Sequence, residues 1–171
     1  MSTDRNKDSL GPEWSQTVNS LSGRLLVRFE DLKPGLRHSI YLELRNHALA
    51  PIVVSNLPEF HAQLFDSSRM PVSESGFSSN GPSPILQWAA IPRDAYVGLR
   101  VDLQTIGVPT REHKRVLLAF GNTPWELSVG QYVLEATAVF NREDGGPPNQ
   151  WTGELKLPPV EVVVTDDMFS E

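Results

Sequence analysis

Apolar and polar residues alternate with a period of two in run after run along this chain. The longest run lies in Trp125–Phe140, WELSVGQYVLEATAVF. After Gly130, residues Tyr132, Leu134, Ala136, Ala138 and Phe140 fall on one side and Val133, Glu135, Thr137 and Val139 on the other. Successive side chains of a pleated strand point to opposite faces, so this alternation predicts a half-buried β-strand. Arg37–Asn46 repeats the pattern, with Ile40, Leu42 and Leu44 inward and Tyr41, Glu43 and Arg45 outward. Gly23–Phe29 predicts a strand with Leu25, Val27 and Phe29 on one face. Glu59–Asp66 aligns Phe60, Ala62 and Leu64, and Ala95–Leu103 aligns Val97, Leu99, Val101 and Leu103.

Shorter apolar runs at Pro51–Ser55, Ile85–Ile91, Trp151–Leu157 and Val160–Thr165 read as further strands. Arg115–Phe120 is too short for its period to separate strand from helix, and its β surroundings favour strand. Between these runs lie turn signals. In Glu30–Gly35, Pro34 presets φ and Gly35 tolerates the positive φ of a type II turn. Three longer loops are expected: Ser73–Pro84 (SESGFSSNGPSP), Gln104–Lys114 and Asn141–Asn149 (NREDGGPPN). A dozen residues without apolar period is long for a compact domain, and such loops are often functional.

Many short strands with regular punctuation and almost no helix predict an all-β fold, an antiparallel β-sandwich of nine or ten strands. A closed barrel is the alternative. The expected organisation is a disordered tail over 1–13, one sandwich domain over 14–165 and an acidic tail over 166–171.

Composition narrows the function classes. The 171 residues carry a net charge of −6, and the basic cluster Arg111–Arg115 (REHKR) has a glutamate inside it. Nucleic-acid binding is therefore not expected, since phosphate contacts need clustered Lys and Arg. With no cysteine, disulfides, thiolate catalysis and zinc–cysteine sites are excluded. The first residues, MSTDRNKDSLGPEWSQ, lack an apolar signal region and no window is long enough for a membrane span. The expectation is a cytoplasmic protein with no membrane partner.

Candidate chemistry is sparse. His38, His47, His61 and His113 form no metal-ligand spacing. No nucleophile elbow and no phosphate-cradling glycine loop occurs. The loop acids Glu30, Asp31, Asp66, Glu143 and Asp144 lack the spacing of a calcium loop. No enzyme, metal or cofactor is expected. The better thread is aromatic: Trp88, Trp125 and Trp151 each stand at a strand start or beside a loop. There they either anchor a partner or plug the ends of the core.

Leu42–Asn46, a strand ending in Asn, together with Trp125-Glu-Leu and Gly130-Gln-Tyr132, resembles bacterial immunoglobulin-like β-sandwiches. The arrangement is similar to the intracellular proteinase-inhibitor type, with Val129 where a proline is usual. The match covers the middle and last thirds of the chain. The resemblance implies an immunoglobulin-like sandwich, with proteinase inhibition as one version of its role. The expected function is thus a non-catalytic module that engages a protein partner through its end loops. Its candidate residues are Ser75, Gly76, Phe77, Asn80, Trp88, Trp125 and Trp151. A carbohydrate- or calcium-binding sandwich is the alternative.

Overall fold

The computed structural model describes residues 13–32, 35–76, 85–101, 114–121 and 123–169. Phe77 and Asn80, most of the Gln104–Lys114 loop, Leu103 and the Lys33-Pro34 turn lie outside them. Eleven strands occur among the described residues, more than the nine or ten expected: β1 (Leu21–Leu32), β2 (Gly35–Asn46), β3 (Ile52–Ser55), β4 (Glu59–Asp66), β5 (Trp88–Ile91), β6 (Tyr96–Arg100), β7 (Arg115–Phe120), β8 (Thr123–Ser128), β9 (Gly130–Phe140), β10 (Gly153–Lys156) and β11 (Val160–Val164).

They form an all-β antiparallel sandwich. One sheet runs β1-β2-β6. The other is built on β9: β4 pairs with Tyr132–Val139 along one edge, while β11 and β10 share the opposite edge, at Gly130–Leu134 and Thr137–Phe140. Two-stranded pairs, β3-β5 and β7-β8, complete the fold.

The alternating faces fall as expected. Ile40, Leu42 and Leu44 of β2 are fully buried, as are Leu134 and Ala138 of β9, with Tyr132, Ala136 and Phe140 close behind. In β1 the buried set is Leu21 and Leu25, with Val27 half-buried. This strand extends beyond the expected Gly23–Phe29 because its pairing with β2 runs unbroken from Leu21↔Asn46 to Leu32↔Gly35. Gly23 takes an inward position where a Cβ would lie 3.0 Å from Leu157 and 3.3 Å from Leu155. Its missing side chain lets the two sheets close against each other.

Arg115–Phe120 is a strand, and Val116–Phe120 are all buried. With both faces covered there is no polar side to produce alternation, which is why the period is silent there. The Trp125–Phe140 run divides at Val129. β8 pairs with β7, whereas β9 belongs to the large sheet. Tyr132 ties the crossing together, its hydroxyl donating to the Ser128 carbonyl at 3.0 Å. At the C-terminal side, Asp166–Phe169 forms a 3-10 turn where an acidic tail was expected. Phe169 packs on the core and Asp166 accepts from Lys114 at 2.8 Å.

Candidate functional site at the loop end of the sandwich

Antiparallel pairing sets which connections meet. The C-terminal end of β9 lies beside the start of β4 (Glu59↔Val139) and the start of β10 (Gly153↔Phe140). The β3–β4 link, the entry to β5 and the loop after β9 therefore gather at one end.

Asn56 organises the entry to β5. Its Oδ1 accepts from Gln87 N at 2.7 Å, its Nδ2 donates to the Ile85 carbonyl at 3.1 Å, and its own backbone N donates to the Gln87 carbonyl at 3.0 Å. The chain is thus clamped where it leaves the Ser73–Pro84 segment. Beyond the clamp, Trp88 pairs with Ser55 and is half-buried.

The loop after β9 is folded on itself. Gln150 Oε1 accepts from Glu143 N and its Nε2 donates to the Glu143 carbonyl, both at 3.2 Å. Gly146 then rests against Trp88: a Cβ there would lie 2.6 Å from Cζ2 and 2.7 Å from Cη2 of the indole. Only glycine permits that approach. Trp151 N donates to the Val53 carbonyl at 2.7 Å, and Asn141 Nδ2 donates to Glu59 at 3.3 Å, which fixes both loop stems.

The β7–β8 turn joins the same end. Gly121, at φ +58°, approaches Phe60, and the Phe60 and Phe120 rings stand 4.5 Å apart. Ser75 N donates to the Pro124 carbonyl at 2.8 Å, which brings the other stem of the Ser73–Pro84 segment alongside. The Ser75 hydroxyl is buried and has no hydrogen-bond partner among the described residues. Gly76 is exposed.

Of the sequence-predicted residues, Ser75, Gly76, Trp88 and Trp151 thus come to one end of the molecule. Trp125 and Trp151 take the packing alternative. Trp125 is 1% exposed, inside the core. Trp151 is buried edge-on against Phe140, its ring N–H donating to the Asn19 carbonyl at 3.1 Å. Neither ring is presented to a partner. Ile85 and Leu86, expected in a strand over Ile85–Ile91, lie ahead of β5, which starts at Trp88, and are exposed at this end, at 77% and 37%. The available signal was that Ile85 and Leu86 directly follow a polar loop and do not alternate with polar residues.

Chemically this end offers apolar contact and backbone groups. Among the described residues no group of three or more His, Cys, Asp or Glu side chains is placed to hold a metal ion. Away from it, Ser22 Oγ lies 2.8 Å from His47 Nε2. Ser22 is 1% exposed, so its oxygen cannot meet a substrate. No helix among the described residues is long and apolar enough to cross a membrane. No protein-family model and no curated protein sequence matches the chain.

Proposed function

We propose that the protein is a non-catalytic interaction module of immunoglobulin-like type that binds a protein partner through this loop end. The carrying observation is that Asn56 holds the Ile85–Gln87 stem while the Asn141–Asn149 loop rests on Trp88 through Gly146, with Ile85 and Leu86 exposed there and the Ser75 stem held at Pro124. A half-buried tryptophan supplies the aromatic anchor that protein interfaces favour, and the exposed Ile85 and Leu86 add apolar contact at the same end. Stems held by Asn56, Gln150 and Gly146 reduce the ordering cost of association.

Kinship with immunoglobulin-like sandwiches is supported by the Tyr132–Ser128 contact, which matches the tyrosine corner of that fold. Proteinase inhibition is the specific version, in which the Ser73–Pro84 segment enters a cleft as an extended strand. The test is recovery of a partner from lysate, followed by reconstitution with that partner purified. Binding should be lost when Ser75–Pro82 is replaced by a short Gly-Ser linker, and in Ile85→Asp. A reconstituted complex indifferent to both changes would refute the loop end as the binding surface.

A further inference from the structure

A strand at the edge of a sheet presents a row of backbone groups that another chain can pair with. In an antiparallel pair, residues alternate between exchanging both N–H···O bonds with the neighbour and exchanging none. Along Ile85–Ile91 that alternation is explicit. The Ile85 carbonyl and both backbone groups of Gln87 are bound by Asn56, and Ala89 and Ile91 continue the row against Val54 and Ile52. The backbone groups of Leu86, Trp88 and Ala90 therefore point away from β3, and they have no hydrogen-bond partner among the described residues. The far side of β3 is already covered, since Trp151 N donates to the Val53 carbonyl and Gln150 bridges Val53.

Natural edges are blunted by charge, by proline or by an overlying segment. The β9 sheet follows that rule. β10 carries Glu154 and Lys156, and β11 carries Glu161 and follows Pro158-Pro159. Met70–Val72 runs back along β4, with Val72 N donating to the Leu64 carbonyl. By contrast, Ile85–Ile91 (ILQWAAI) has no charge and no proline, and Ile85, Leu86 and Ala90 along it are exposed.

We propose that the partner of the loop end binds by strand addition, laying an extended segment of its own chain along Leu86–Ala90. Only another extended backbone offers N–H and C=O groups at the matching repeat of about 7 Å. The segment this edge selects is uncharged and free of proline where it faces β5. It is apolar at the residues that share a face with Leu86 and Trp88. The Asn56 clamp and the seating of Gly146 on Trp88 fix the receiving edge before the partner arrives, so little ordering remains on this side. A second copy of this chain fits less well, because each copy carries a net charge of −6. The inference rests on the loop end being the binding surface.

The test selects a displayed library of random short peptides on the full chain and measures the enriched peptides in solution. Ala90→Pro removes an N–H that faces away from β3, so β3-β5 pairing and the melting temperature should be retained. The peptides should bind this variant about tenfold more weakly than wild type. A second measurement does not depend on that variant folding: the peptides are N-methylated at alternate residues. Methylation in the register whose N–H groups face β5 should abolish binding, and methylation one residue out of step should leave it intact. Strand addition is overturned if no peptide is enriched, if the two N-methyl registers behave alike, or if folded Ala90→Pro binds as wild type. It is equally overturned if the chain alone forms a dimer that Ala90→Pro dissociates. A complex with the purified partner that is lost in Ile85→Asp and kept in Ala90→Pro would retain the loop end as the surface and reject strand addition alone.

Discussion

Asn46 Nδ2 donates to the Ile91 carbonyl at 2.9 Å, joining the end of β2 to the end of β5 inside the core. The same amide donates to the Ala50 carbonyl, and its Oδ1 accepts from Ala48 N at 2.7 Å. Its backbone donates to Ala95 and accepts from Asp94. A fully buried amide has every group satisfied, which is the condition under which a buried polar side chain specifies a structure without destabilising it. One residue thereby holds the β2–β3 and β5–β6 connections together.

Asn46→Ala should cost about 2–3 kcal/mol, since it leaves the buried Ile91 carbonyl and the part-buried Ala50 carbonyl and Ala48 N–H without their partner. Asn46→Asp should be at least as damaging, because a carboxylate would face the same carbonyls. Urea unfolding of both variants checks this; a loss below about 1 kcal/mol in each would deny Asn46 this role.

Tyr132→Phe removes only the hydroxyl that reaches Ser128. The expected loss is about 1 kcal/mol, the net worth of an ordinary hydrogen bond. The ring remains in the core, so the far-ultraviolet spectrum should not change. Thermal unfolding monitored by circular dichroism measures the difference.

Leu134→Ala and Trp125→Ala test the core on the two sides of the Val129 crossing. Both residues are essentially buried, and truncation should cost about 2–5 kcal/mol for the leucine and about 3–5 kcal/mol for the tryptophan. Equal losses at exposed Val129, 42% accessible, would contradict the division of β8 from β9.

Gly146→Ala forces a methyl group to within 2.6 Å of the Trp88 ring. The loop must lift, at about 1–3 kcal/mol, and Trp88 should become more accessible to acrylamide quenching. Replacing Trp88 with Phe removes Cζ2 and Cη2, so the double variant should recover part of the stability. Additive losses would mean that the two residues do not touch.

Much of the fold was legible because strand periodicity is local. The inward residues of β2, β4 and β9 follow from two-residue alternation. The full extent of β1 did not: Leu25 and Val27 lie on the face expected of them, but the strand begins at Leu21, two residues before the expected Gly23. The candidate end was legible in part. Its loops stood out by composition, but Trp125 and Trp151 could not be distinguished from presented aromatics before their neighbours were known.

The sequence by itself determined where the chain is extended and which residues of most strands face the core. Pleating forces each side chain opposite its neighbour, so that information resides in adjacent positions. Only the tertiary structure decided that β8 and β9 join different sheets and that Gly146 meets Trp88. These depend on strand pairing and register between distant residues. A pattern of period two records which side a residue takes and carries no information about the strand beside it.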